Sequence, residues 1–350
     1  MSFFKSAFYY GMKGLLRLFT PFYFRRIRIF GLESLPKEGG ILLSPNHQGA
    51  FLDPLLVGAY IPKKLFSLTR GDVFVPPFRW LFNAMQMLPV FRIRNGYSSL
   101  KNNEATFDRC HSILAQGEKL MMFSEGLHHS EMYLYPISKG SSRLAYQAQN
   151  KFPNKPIHLI PVGINYQNYN RPWKGLHLVI GKAIPIQNYL NTADKEVHTI
   201  NRIRHALAEG MKACLWIPEN SNDYKQKVTA LQQMDCSESF ETIRNQLATT
   251  ESPSHKTSKV PLGIQLLLAI LRVPNSIPLW MTTRVMQSFS DPIFHGSVKY
   301  ASGLFIFPLW YLIICGFFSF FFFFNILIII VLCFIISLYL YILIKNKYIL

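Results

Sequence analysis

The stretch Asn46-His47-Gln48-Gly49-Ala50-Phe51-Leu52-Asp53-Pro54 sets an imidazole and a carboxylate a turn or two apart, straight after the apolar run Ile41-Leu42-Leu43. Such a pair makes a general base: the imidazole takes a proton, and the carboxylate fixes its tautomer and stabilises the imidazolium. No Ser or Cys lies nearby in a nucleophile-elbow setting. His47 would therefore activate a hydroxyl of the substrate itself, which points to acyl or phosphoryl transfer without a covalent enzyme intermediate. One His and one Asp at this spacing also occur where no such chemistry happens, so the pair has to be weighed with its surroundings.

Those surroundings carry three further blocks in order. The segment from Phe24 to Pro36 leads through Gly39-Gly40 into Asn46-His47. Met87-Leu88-Pro89-Val90-Phe91-Arg92-Ile93-Arg94-Asn95-Gly96 follows, then Phe123-Ser124-Glu125-Gly126, then Leu159-Ile160-Pro161-Val162-Gly163-Ile164. Together they resemble the four motifs of the glycerophospholipid acyltransferase superfamily, which includes the glycerol-3-phosphate and lysophosphatidate acyltransferases. The resemblance covers roughly residues 25 to 215.

The chain departs from the family pattern in places. The commonest form has four residues between His and Asp. Here five intervene, as in the branch that resembles glycerol-3-phosphate/dihydroxyacetone-phosphate acyltransferases. The usual Glu-Gly-Thr-Arg is replaced by Glu125-Gly126-Leu127-His128-His129, so the third motif lacks its arginine. That branch tends to carry a His there and a Leu-x-Pro-x-Lys-x-Gly run after it. The counterpart here is Leu134-Tyr135-Pro136-Ile137-Ser138-Lys139-Gly140, with the Lys one place late.

The resemblance implies roles for matching positions. His47 is the base and Asp53 its orienting carboxylate. Arg92, with Arg94 as second choice, binds the acceptor's phosphate, unless both are solvated strand-edge cations. Glu125 holds acceptor hydroxyls and Gly126 lets backbone approach closely. His128 and His129 face solvent or the acceptor. Lys139 and Arg143 contact phosphate or lipid, or are ordinary surface cations. No cofactor is expected beyond acyl-CoA or acyl carrier protein as co-substrate. No metal is expected either: His128, His129 and Glu131 lack a His-Glu-x-x-His helix and a fourth ligand.

The elements that must position these groups alternate along the chain. Short apolar strands are expected at 41–44, 64–69, 88–92, 119–123, 157–162 and 177–180, with helices at 54–59, 77–85, 98–115, 141–150 and 194–216. This alternation predicts an α/β sandwich with helices flanking one sheet.

Composition bounds the partners. Of 350 residues, 16% are charged and 15% aromatic, with a net charge of +18, so the partner surface is negative. Nucleic acid is disfavoured because no nucleic-acid module is recognisable, whereas the apolar tail fits anionic lipid. The five cysteines (Cys110, Cys214, Cys236, Cys315, Cys333) are scattered and contain no Cys-x-x-Cys. They read as reduced thiols, not as a disulfide or zinc framework.

From Ala301 to Ile344 there is no Asp, Glu, Lys or Arg. As a helix that run would be about 66 Å long, roughly twice a hydrocarbon core, so two helices in a hairpin are expected, turning near Gly316, Ser319 and Asn325. Lys299 on one side and Lys345 and Lys347 on the other place both ends in the cytoplasm. The apolar patch 262–271, bounded by Pro261, Pro274 and Pro278, reads as too short to span, and as lying in the interface or re-entering. At the N-terminus, Phe4, Phe8, Met12, Leu15 and Phe19 share one side of a helical wheel, and Lys13 and Arg17 the other. That is an amphipathic interfacial helix, or one that packs on the domain.

The expected organisation is thus an N-terminal interface helix (1–24), a catalytic domain (25–216), a polar helical excursion and linker (217–260), an interfacial segment (261–298) and a transmembrane hairpin (299–350). The protein would be integral to a membrane, the bacterial inner membrane, with its catalytic domain in the cytoplasm. It would move a fatty acyl group to glycerol-3-phosphate or dihydroxyacetone phosphate. The rival acceptors are lysophosphatidate or another lysolipid. From other functional classes, a non-catalytic membrane adaptor on the same scaffold, or a lipid-binding module, stays open.

Overall fold

The structure is a computed structural model that describes residues 3–77, 79–91, 97–191, 194–249, 260–321 and 323–348. Apolar runs form one eight-stranded sheet: β1 (Arg26–Phe30), β2 (Gly40–Pro45), β3 (Leu65–Arg70), β4 (Met87–Val90), β5 (Lys119–Met121), β6 (Ile157–Tyr166), β7 (Gly175–Ile180) and β8 (Ile184–Pro185). Seven strands lie in the order β1-β7-β6-β2-β5-β3-β4, and β8 pairs with β6. Strands β2 to β6 are mutually parallel; β7 runs against β6 and is parallel to β1. The central strand β2 is buried along its whole length, as expected of a parallel strand covered on both faces.

Helices cover the two faces. On one side lie α1 (Phe3–Tyr23) and α2 (Leu52–Tyr60), over a core that includes Leu43, Leu56, Val162 and Leu178. On the other lie α4 (Tyr97–Ala115), α5 (Gly140–Lys151) and α6 (Glu196–Ala213), over Leu42, Leu120, Leu159 and Leu207. Leu42 and Leu43 are adjacent and feed opposite cores, which is the period-two alternation of a strand. The short α3 (Arg79–Ala84) precedes β4. The polar excursion forms α7 (Tyr224–Gln233) and α8 (Phe240–Ala248), which close a third core with Trp216 and Val179. The segment 26–30, not expected as a strand, is an edge strand; its alternating arginines are what an unpaired sheet edge tolerates.

Helix α1 departs from the wheel's simplest implication. Its inward face is Tyr9, Lys13, Leu16, Thr20 and Tyr23, while Phe3, Phe4, Leu18 and Phe22 face outward. Lys13 donates to the carbonyls of Ile61 and Lys63, and Arg17 to that of Ala59. These carbonyls lie at the C-terminal end of α2, where the helix leaves acceptors unpaired and cations are favoured. Burial pulls the Lys13 ammonium down to about 8. The two cations thus bind the domain and do not form an outward basic face.

The C-terminal region contains α9 (Leu262–Arg272), α10 (Ser276–Gln287), α11 (Phe294–Phe318) and α12 (Phe324–Tyr348). Three stretches are long and apolar enough to cross a membrane: Leu262–Gln287, Phe294–Phe318 and Asn325–Tyr348. The first is therefore longer than the short patch expected from sequence. Its prolines do not end it, because one falls in the 3-10 turn Val273–Asn275 and the other in the first turn of α10, where a missing N–H is tolerated.

That turn is nonetheless a break. Pro278 cannot bond the Pro274 carbonyl, which instead accepts from Trp310 Nε1 at 3.4 Å; the Leu271 carbonyl accepts from Ser337 at 2.9 Å. Asn275, fully buried, donates to the Phe334 carbonyl and accepts from the Tyr311 hydroxyl. Freed backbone groups are thus re-paired by neighbouring helices, as a hydrocarbon surrounding would demand. Leu271 meeting Ser337 and Asn275 meeting Phe334 set α9 antiparallel to α12. From the level of Tyr311, α10 then returns along α11 toward Phe294. The 26-residue stretch is bent into two arms whose tip lies partway down the α11–α12 hairpin. The hairpin's two ends meet one loop of the α/β domain: Lys299 donates to the Asn170 carbonyl and Asn346 to that of Pro172.

Candidate active site

The parallel strands β2, β3, β4, β5 and β6 share one carboxyl edge, the usual place for a site in such sheets. The His-Asp segment follows β2 there. Asn46 locks the exit of β2, its amide donating to the Ile164 carbonyl and its oxygen accepting the Ile164 N–H. The chain then turns through Gly49 and Ala50, whose φ of +48° is rare for a residue with a side chain, and enters α2 at Leu52. This turn brings Asp53, in the first turn of α2, back onto His47.

His47 Nδ1 donates to Asp53 Oδ2 at 2.8 Å. In the neutral ring that bond places the proton on Nδ1 and leaves Nε2 able to accept one. The His47 side chain is 18% exposed and that of Asp53 fully buried, so substrate reaches the base but water does not reach its carboxylate. Asp53 is otherwise fully engaged: Oδ2 accepts the Gly49 N–H at 2.8 Å, and Oδ1 accepts the Tyr166 hydroxyl at 2.7 Å. Burial, then the charge of Asp53, push the Tyr166 phenol well above its ordinary range, so it is a permanent donor. The imidazole stacks on Phe123 with centroids 4.0 Å apart and 20° between planes.

The third motif follows β5. Gly126, at φ +74°, closes a turn in which its N–H bonds the Phe123 carbonyl. The His129 N–H then bonds the carbonyl of His47 at 3.2 Å, which ties the two motifs together. Glu125 is buried, with Oε2 on His129 Nε2 and Oε1 lacking a hydrogen-bond partner among the described residues. His129 is held by a flat stack on Tyr135, centroids 3.7 Å apart. The Ser124 hydroxyl lies 2.5 Å from those of both Ser44 in β2 and Ser141 in α5.

His47, Asp53, Glu125, Gly126 and His129 therefore converge. Lys139 immediately precedes α5, and its neighbour Ser138 donates its N–H to the Ser124 carbonyl at 2.7 Å. Arg92 and Arg94 lie outside the described residues.

Sequence reasoning missed Tyr166 and the contribution of the C-terminal helices. His128, edge-on to His47 at 5.7 Å, donates from Nε2 to Asp291 at 3.2 Å. Burial, then the charge His47 would carry, lower the pKa of His128, against the opposing pull of Asp291. Phe294, the first residue of α11, packs on both His128 and Phe51. Nothing in the local sequence of either segment signals these contacts.

A base with an open Nε2, a buried orienting carboxylate and no nucleophilic side chain in the group fit transfer of an acyl group to a substrate hydroxyl. Residues 26–165 match the family model described as Acyltransferase. Among solved structures, the 1-acyl-sn-glycerophosphate (LPA) acyltransferase PlsC from Thermotoga maritima is similar at 15% identity with a TM-score of 0.44, covering 60% of this chain and 80% of that one. No curated protein matches the chain.

Proposed function

We propose that the protein transfers a fatty acyl group from an acyl thioester to the hydroxyl of glycerol-3-phosphate or dihydroxyacetone phosphate, at the cytoplasmic face of a bacterial inner membrane. The observation that carries the reading is the His47–Asp53 pair, whose bond through Nδ1 leaves Nε2 open at the carboxyl edge of the sheet. His47 Nε2 takes the proton of the acceptor hydroxyl as its oxygen attacks the thioester carbonyl carbon. The tetrahedral oxyanion collapses, the carbon–sulfur bond breaks, and the imidazolium returns the proton to the departing thiolate. Asp53 stabilises that imidazolium. General-base help of this kind contributes roughly 10²–10⁴ in rate, so positioning must supply much of the rest.

Arg92, Arg94 and Lys139 are assigned to the acceptor's phosphate, and Glu125 and Gly126, with His129, to the acceptor's glycerol part. The five-residue spacing and the histidines after Glu125-Gly126 favour the small acceptor over lysophosphatidate. Acyl-CoA or acyl carrier protein serves as donor, and both are acidic partners for a chain of net charge +18. No metal or further cofactor takes part in this scheme.

The test is thiol release by the detergent-purified chain, given acyl-CoA with each of glycerol-3-phosphate, dihydroxyacetone phosphate and lysophosphatidate, then acyl carrier protein as donor. Turnover with a small acceptor, lost in His47→Ala, is the expected result. Turnover with lysophosphatidate alone rejects the acceptor assignment. Full activity in His47→Ala rejects the base.

A further inference from the structure

The catalytic turn is held from an unexpected direction. Ser297, one turn into α11, is buried, and its hydroxyl makes two bonds to the turn between His47 and Asp53: it donates to the Gly49 carbonyl at 2.8 Å and accepts the Leu52 N–H at 3.0 Å. The same Leu52 N–H also reaches the Gly49 carbonyl, at 2.9 Å, so the serine clamps both ends of one turn. Within that turn sit Ala50, at φ +48°, and the Gly49 N–H that orients Asp53. A strained backbone of this kind persists only where its surroundings hold it.

The clamp itself is fixed to the domain. The Tyr23 hydroxyl donates to the Gly296 carbonyl, and Thr20 bonds the Tyr300 hydroxyl at 2.8 Å. Gly296 lies so close to the Tyr169 carbonyl that a Cβ there would approach it to 2.2 Å. Asp291 and Phe294 also hold His128, which lies edge-on to His47. The first turn of α11 thus touches both motifs that flank the base.

We infer that Ser297 is a positioning residue of the active site, through which the first turn of the membrane hairpin sets the geometry of the His47–Asp53 turn. The hairpin is therefore part of the catalytic apparatus as well as an anchor. The inference rests on His47 acting as the base.

The test uses the full chain in detergent and compares wild type, Ser297→Ala, Ser297→Thr and His47→Ala, with hydrogen exchange of the peptide spanning 46–53 as a readout independent of turnover. Ser297→Ala is expected to lower kcat about 10- to 100-fold, the range a small misplacement costs, with KM within about two-fold of wild type. Its 46–53 amides should exchange faster while those of β6 stay protected. Ser297→Thr, which keeps the hydroxyl, should recover most of the rate. Wild-type kcat in Ser297→Ala, a loss confined to KM, or faster exchange spread through the whole sheet overturns the inference. Should wild type show no His47-dependent turnover, the proposed function fails separately. Exchange then decides: faster 46–53 amides alone support the clamp, and unchanged ones overturn it.

Discussion

The Tyr166 hydroxyl lies 2.7 Å from Asp53 Oδ1, whereas the bonds from His47 and the Gly49 N–H both end on Oδ2. The tyrosine is thus the one described partner of the far oxygen of a fully buried carboxylate. Hydrogen bonds to charged groups contribute about 1.5–3 kcal/mol. Tyr166→Phe should therefore lower kcat roughly ten-fold or more and reduce the melting temperature, with KM little changed. A variant with wild-type kcat would show that the other two bonds suffice to hold Asp53.

Asp53→Asn should cost far more. The amide nitrogen can donate to His47 Nδ1, which moves the ring proton to Nε2 and removes the lone pair that must take the acceptor's proton. The analogous change in a Ser-His-Asp triad drops kcat about 10⁴-fold while leaving the geometry intact. Single-turnover acyl transfer by a folded Asp53→Asn chain should show a loss of at least about 10³, the lower part of that scale. A loss of only a few-fold would mean that Asp53 is structural.

Gly49 has no room for a side chain. A Cβ there would lie 2.6 Å from Asp53 Oδ1 and 2.8 Å from the Tyr166 hydroxyl, both buried and bonded to each other. Gly49→Ala should destabilise the fold by about 1–3 kcal/mol, as overpacking usually does, and abolish most activity by prising the pair apart. Thermal melting and kcat measured on the same preparation check both halves.

Much of the site was readable because its chemistry is contiguous in the chain. His47 and Asp53 are six positions apart, and the third motif announces itself by Glu125-Gly126. What the sequence could not show depends on which surfaces meet. Tyr166 lies beyond the strand expected at 157–162, and nothing local marks its hydroxyl as the partner of Asp53. Ser297 meets Gly49 across 248 positions, a contact that exists only once α11 docks. A helical wheel correctly groups Lys13 with Arg17 but cannot say that their side packs on the end of α2. The arginines of β1 give no sign that their segment is an edge strand, and Pro274 and Pro278 look like helix ends because the bond that replaces the one Pro278 cannot make to the Pro274 carbonyl comes from Trp310 on α11.

One acid sensitivity follows from the sheet and not from the active site. His177 in β7 is fully buried, its Nε2 on the Cys236 carbonyl at 3.0 Å and its ring edge-on to Trp216. Burial, with help from the Arg28 charge and against the Cys236 hydrogen bond, lowers its pKa from 6.5 to about 4. Between those pH values the unfolded chain binds a proton that the folded chain does not. Stability from this group is therefore full above about pH 6.5, falls as the pH drops toward 4, and is level below. The linked loss is about 3 kcal/mol at most. His177→Gln removes the titration. Carboxylates titrate in wild type and variant alike, so the informative quantity is the difference between the two. Wild type should lead at pH 7.5, and the lead should shrink as denaturation is followed down to pH 4.5. A difference that stays constant over that range would show that His177 is protonated as readily in the fold as out of it.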